Sequence, residues 1–170
     1  GCMFIGARTV PVNNPIAQAL GATPLRPETS RSFSAGLTYE PFRALQLSVD
    51  PYLIYLDHRI VQTGFLSGGA VNQIVVANGG ESGTNVRYFT NGVNTRTAGV
   101  DARISYAWIS PGFGTFTFSA SGNWNRTEIT KLANTPSQLS GLGLKLVDRQ
   151  AQGYMTEAQP KLKVILGVNW

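Results

Sequence analysis

The sequence predicts an all-β fold: an antiparallel transmembrane β-barrel segment of about five strands from a larger up-and-down barrel, with long external loops and short periplasmic turns. Three observations predict it. First, polar and apolar residues alternate over stretches of about ten residues, long enough to cross a bilayer at a tilt and longer than the mean soluble strand of about 5–6. Second, the connections alternate in length, short at 41–44 and 110–114, long at 61–86 and 131–159. A transmembrane barrel sorts its connections this way, and a soluble meander has no reason to. Third, Tyr and Trp fall where such strands would enter and leave the membrane, an interface that suits a ring with an apolar body and a polar tip.

The composition agrees. Only 14% of the 170 residues are charged, well under the quarter or so usual in soluble domains. Mean hydropathy is nonetheless −0.04, and no apolar run approaches the roughly 20 residues of a membrane helix. Alternation in a barrel wall averages to that value. The net charge of +5 comes from scattered Lys and Arg. No basic patch interleaved with aromatics is present, which argues against nucleic acid as a partner. Cys2 is the only cysteine, so no intramolecular disulfide forms. The opening "GCMFIGARTV" lacks the basic and apolar regions of a signal peptide. The expectation is a slice of a longer protein.

The elements follow in order. The first thirty residues are broken by Pro15, Pro24 and Pro27, with a short helical possibility at 16–20. In "SFSAGLTYE", Phe33, Ala35, Leu37 and Tyr39 alternate with small polar residues, predicting a strand near 31–40. After the "PFRA" turn a second strand covers 45–60. Pro51 lies inside it and has no N–H for a ladder, so a bulge is expected there. The loop 61–86 is rich in Gly, Ser and Asn, with a strand-like patch in "NQIVVA". A third strand at 95–110 places Val100, Ala102, Ile104, Tyr106 and Trp108 on one face, Asp101, Arg103 and Ser105 on the other. Across "SPGFG", a fourth strand covers 115–130. The polar loop 131–159 leads to a last strand at 160–170, where Leu162, Val164, Leu166, Val168 and Trp170 share a face.

In that frame the apolar faces meet lipid. Tyr39, Tyr106 and Trp108 are expected at the periplasmic interface. Trp124 lies roughly 20–25 Å up the fourth strand at the opposite girdle, and Trp170 is back on the periplasmic side. Asp101 and Arg103 are expected to face a wet lumen, as a pair along one strand face.

Catalysis is not expected. His58, the only histidine, stands beside Asp57 with Asp50 nearby, but no G-x-S-x-G elbow supplies a nucleophile. One histidine and scattered acids lack metal-ligand spacing. The Gly-rich stretches carry no phosphate-loop pattern. No enzyme activity, cofactor or metal is expected.

Three stretches carry a family resemblance: "LGATPLRPETSRSFSAGLTYEP", "LQLSVDPYLIYLDHRI" and "YFTNGVNTRTAGVDARISY". An L-x-P-E approach maps onto Leu25–Glu28, the strand that follows onto Leu47–Ile60, and an F-x-N-G approach onto Phe89–Asp101. Together they resemble the barrel of TonB-dependent outer-membrane receptors. Pro51, Asn94 and His58 depart from the residues common at those places. The resemblance implies an outer-membrane location in a Gram-negative cell, contact with lipid and lipopolysaccharide, and active import of a scarce nutrient such as a siderophore, cobalamin or sugar. It also implies a partner, TonB, acting through a plug domain and TonB box that are expected to lie outside this chain. Ligand contacts are expected from the loops 61–86 and 131–159. A passive porin, an adhesin barrel and a soluble β-sandwich or lipocalin-like module remain alternatives at this point. The soluble module would bury Trp108, Trp124 and Trp170.

Overall fold

The structure is a computed structural model that describes residues 6–170, and Cys2 lies outside the described residues. Strand far outweighs helix, at 52% against 13%. A six-stranded antiparallel sheet dominates. It contains β2 (Thr29–Ser34), β3 (Leu37–Phe42), β4 (Leu45–Gln62), β6 (Phe89–Ser110), β7 (Gly114–Leu132) and β8 (Leu162–Asn169). The order is β2-β4-β6-β7-β8, with β3 also on β4. Each long strand therefore lies beside its neighbour in sequence, an up-and-down arrangement. A separate parallel pair joins β1 (Ala7–Thr9) to β5 (Asn85–Arg87). Among the described residues there are three short helices: α1 (Pro15–Ala19), α2 (Gly69–Ala77) and α3 (Arg149–Thr156). None is long and apolar enough to cross a membrane.

The chain divides into two compact units, and β4, β6 and β7 contribute to both. Unit 2 comprises Ser30–Tyr55, Arg96–Glu128 and Thr156–Trp170. Its last two strands divide polar from apolar residues between their faces. In the β7–β8 ladder Trp124 lies opposite Leu162, Gly122 opposite Val164, Ala120 opposite Leu166 and Phe118 opposite Val168. The intervening pairs are Asn123 with Lys163, Ser121 with Ile165 and Ser119 with Gly167. One face is thus apolar and the other mainly polar. The apolar face has no cover: Leu166 is 76% exposed, and Leu162, Val164 and Val168 are nearly as open.

Local chemistry explains the turns and breaks. Between β6 and β7, Pro111 presets φ, Gly112 takes φ 90°, and the Phe113 N–H donates to the Ser110 carbonyl at 3.2 Å. These are the requirements of a type II turn. The bulge expected at Pro51 is displaced. β4 runs through Pro51 unbroken, and the interruption falls on the facing chain at Ala35–Gly36, between β2 and β3. Ala35 still donates to the Pro51 carbonyl, but Pro51 returns nothing, because it has no N–H. A register shift follows between Tyr39 and Phe42, around Pro41. Gly99 is glycine for a packing reason: a Cβ there would stand 2.3 Å from the Tyr52 ring and 2.8 Å from the Trp124 carbonyl oxygen.

Unit 1 comprises the residues up to Thr29 with Leu56–Thr95 and Ile129–Met155, and it holds the hydrophobic core. Ile16, Ala17 and Leu20 from the α1 region pack with Val71 and Val75 of α2 and with Leu66, Val86, Tyr88 and Val93. Val10, Leu139, Leu146 and Val147 complete the cluster. The segments expected to be irregular loops are therefore the packed part of the molecule. In "NQIVVA" the strand-like expectation is overturned. Val71 and Val75 are four apart and both buried, which is the helical spacing. The β-branched Ile74, Val75 and Val76 of the patch favour a strand in isolation, and packing against α1 decides otherwise. α1 begins at Asn14, whose Oδ1 accepts from the Ile16 N–H at 2.9 Å, with Pro15 in the first turn. α3 is capped by Asp148, which accepts from the Ala151 N–H at 2.7 Å.

Candidate ligand cleft and strand faces

β6 starts six residues before the expected strand, at Phe89 rather than 95. Its first turn of sequence, "FTNGVNT", is polar, yet Val93 and Thr95 are buried. The asparagines in it work as substitutes for backbone. Asn91 Oδ1 accepts from the Arg26 N–H at 2.8 Å, while its Nδ2 donates to the Arg26 carbonyl at 2.9 Å and to the His58 carbonyl at 2.6 Å. One amide thereby stitches the 22–28 segment to β4. Asn94 does similar work beside it. Its Oδ1 accepts from the His58 N–H at 3.1 Å, and its Nδ2 donates to Asp57 at 2.8 Å. Between these contacts His58 adopts φ 56°, the only positive φ of a non-glycine residue among those described. Such a backbone costs of order 1 kcal/mol or more and persists where neighbours hold it. Here the two asparagines hold it.

Beside this network, still within unit 1, lies a cleft of about 780 Å³. Arg26, His58 and Asn91 line it, together with Gln18, Asn134 and Gln138. A second cleft of about 510 Å³ shares Ala133, Asn134 and Leu146 with the first and adds Lys145 and Arg149. Both draw on the 131–159 segment. The 61–86 segment supplies neither lining; it builds α2 and the core beneath. Substituting Asn91→Ala would remove its bonds to one N–H and two carbonyls, all solvent-exposed, at a cost of about 0.5–1.5 kcal/mol. Hydrogen exchange at the Arg26 amide should accelerate accordingly. Unchanged exchange would mean that the stitch carries no energy.

In unit 2, two of the expected interface aromatics, Trp108 and Trp170, come together around Phe116. The Trp108 and Phe116 rings lie 5.5 Å apart, and Phe116 and Trp170 lie 6.3 Å apart and stacked. Trp170 Nε1 also donates to the Phe113 carbonyl, which ties the chain end to the 110–114 turn. Trp124 is far from them: the stretch Phe116 to Trp124 rises about 26 Å along a strand. Trp108, Trp124 and Trp170 are 48, 48 and 85% exposed, and Tyr39 and Tyr106 are exposed as well. A soluble sandwich that buries the three tryptophans is not what the chain forms.

Asp101 and Arg103 lie on the polar face, along a groove of about 470 Å³ with Asp50, Asn123 and Lys163. They do not pair with each other. Asp101 instead accepts from Asn123 Nδ2 at 2.6 Å, and that amide also reaches the Tyr52 hydroxyl. Residues two apart on a strand are about 6.6 Å apart, whereas Asn123 comes from β7 alongside. Among the described residues no three His, Cys, Asp or Glu gather as a metal site.

A meander of long strands, an uncovered apolar face and a polar opposite face suit a membrane barrel wall. Comparison with known families assigns it. A family model described as TonB dependent receptor-like, beta-barrel, matches residues 4–170. The chain belongs to the TonB-dependent receptor β-barrel family. Proteins of this family are receptors and transporters of the Gram-negative outer membrane. Neither the curated proteins nor the solved structures yielded a match. In this TonB-dependent receptor barrel chain the clefts of unit 1 gather side chains from separate segments. Arg26, Asn91, Lys145 and Arg149 were not singled out from sequence. Asn91 stood in a matched stretch, but its partners lie 33 and 65 residues away.

Proposed function

We propose that this chain is barrel wall of an outer-membrane receptor that binds a scarce nutrient, such as a siderophore, cobalamin or sugar, and imports it actively. Unit 2 crosses the bilayer. Its apolar face meets lipid, with Trp108 and Trp170 at the periplasmic interface and Trp124 at the outer one, near lipopolysaccharide. Its polar face, with Asp101 and Arg103, meets the lumen. Unit 1 supplies external structure, and its 131–159 segment contributes to the ligand site. TonB acts through a plug domain, and the chain performs no bond chemistry.

The observation that carries this reading is the alternation in β8: Leu162, Val164, Leu166 and Val168 lie exposed on one face. In water that face is an aggregation hazard; in lipid it is the required surface. Antibody raised against residues 61–86 tests the reading on fractionated envelopes, boiled and unboiled. A heat-modifiable band in the outer membrane, with uptake lost when TonB is deleted, is expected. A soluble band without heat shift contradicts it. Retained uptake without TonB would identify a passive porin instead.

A further inference from the structure

The two adjoining clefts of unit 1 carry four basic or titratable nitrogen side chains, Arg26 and His58 in one, Lys145 and Arg149 in the other, and no carboxylate lines either. Three carboxylates are near without lining either cleft, and each keeps its negative charge. Glu28 accepts from the Ile60 N–H at 2.6 Å, Asp57 accepts from Asn94, and Asp148 accepts from the Ala151 N–H. The positive charge of the clefts is therefore not neutralised by lining acids. The backbone that carries Arg26 and His58 is also held in place. The single Asn91 amide fixes the backbone of Arg26 on both sides and the carbonyl of His58. Asn94 holds the His58 N–H, in a backbone conformation that a histidine rarely takes. Strain held in place beside a cleft is a mark of a binding device. Amides of Gln18, Asn134 and Gln138 stand around the charges. They can donate to further oxygens. Aromatic side chains, which would stack on a sugar ring or a planar ligand, are absent from the lining of both clefts.

We propose that these joined clefts bind a small dissolved oxyanion carrying two or more carboxylate or phosphate groups. Arg26 and His58 grip one group, Lys145 and Arg149 the other, and Asn134 stands at the junction. This rests on the receptor reading above and specifies the chemistry of its ligand. Guanidinium and ammonium groups make charge-assisted bonds to such oxygens, roughly twice as strong as neutral ones. Phosphates of lipopolysaccharide offer the same chemistry from a membrane-bound source, and the test separates the two.

The test uses the whole outer-membrane protein that carries this chain, purified in detergent, with citrate and pyrophosphate as probes and maltotriose as neutral control. Calorimetry should detect both anions and not maltotriose. Arg26→Gln and Lys145→Gln should each weaken citrate about tenfold, the effect of one charge-assisted bond. Arg26→Lys, which keeps the charge, should lose less than Arg26→Gln. Raising salt should weaken binding throughout. Equal citrate affinity in Arg26→Gln, Lys145→Gln and the parent would overturn the proposal. Binding of maltotriose but neither anion would overturn it too, while leaving the receptor reading intact. Absence of binding by all three probes, together with TonB-independent uptake in cells, would overturn both. In nanodiscs containing lipid A, citrate should still bind. If lipid A abolishes its binding and phosphatidylcholine discs restore it, the clefts hold lipid phosphate and the dissolved ligand is wrong.

Discussion

Leu166→Arg should destabilise the membrane-inserted protein by about 2–4 kcal/mol, the cost of an arginine on the lipid face near the bilayer midplane. Leu166 lies opposite Ala120 in the β7–β8 ladder, between the ends marked by Trp124 and by the Trp108–Phe116–Trp170 cluster. Its exposure makes the substitution informative. In water, a residue that open accepts arginine within about 0.5 kcal/mol. The same substitution on the opposite face, Gly167→Arg, confounds charge with glycine, so Lys163→Leu is the better companion. It removes a charge from the polar face and should cost far less. Folding into lipid vesicles, followed by denaturant titration of both variants, measures the difference. Comparable small effects would place β8 in water.

Tyr88→Ala should cost about 3–5 kcal/mol in unit 1, the usual range for deleting a buried aromatic. Tyr88 is nearly inaccessible. Its hydroxyl donates to the Leu20 carbonyl at 3.1 Å, and its N–H donates to the Thr63 hydroxyl at 3.2 Å. It therefore joins α1 to the start of β6 across the core. Burial pushes its hydroxyl pKa up to about 12 from 10.0, because the phenolate would be stranded in apolar surroundings. The consequence for stability has a definite sign. Below pH 10 the phenol is protonated in both folded and unfolded chains. Between pH 10 and 12 the unfolded chain loses its proton and the folded chain keeps it, so stability falls as pH rises. The loss approaches about 3 kcal/mol for two pH units. Tyr88→Phe removes that component, at a cost of about 1 kcal/mol for the hydroxyl bond. Amide exchange across pH 9–12 at α1 and α2 reads both effects. A slope unchanged by Tyr88→Phe would show that another group titrates.

What the sequence made legible was the part governed by a period of two. Val100 to Trp108 and Leu162 to Trp170 alternate because one face meets apolar surroundings, and that constraint is local. The turn at 110–114 was equally legible, because proline and glycine dictate its type from within four residues. The start of β6 was not. "FTNGVNT" has the composition of a loop, and only distant partners, Arg26 and His58, give its asparagines a strand's role. The helix α2 was missed for a related reason. Its valines favour strands in isolation, and the deciding contacts come from α1, more than fifty residues earlier in the chain. Pro51 illustrates a third kind of limit. The missing N–H was legible, but which strand would yield to it was not. The pairing expected of Asp101 with Arg103 assumed that neighbours on one strand satisfy each other. The cross-strand partner Asn123 was nearer, and a single sequence does not state which residue of β7 lies alongside.

The basic clefts are the least legible feature. Arg26, His58, Lys145 and Arg149 are scattered over more than a hundred residues. Their charge is unremarkable in a chain with fourteen Lys and Arg. Only the fold brings them to one pair of clefts whose lining holds no carboxylate.

The most direct measurement of the central claim is a cysteine scan along β8 in lipid, from Leu162 to Asn169, with a spin label at each position. Collision rates with oxygen, which concentrates in lipid, and with a water-soluble nickel chelate are recorded at every residue. The expected result is a period of two: Leu162, Val164, Leu166 and Val168 favour oxygen, and Lys163, Gly167 and Asn169 favour nickel. Uniform nickel accessibility at both sets of positions would contradict a membrane-spanning strand.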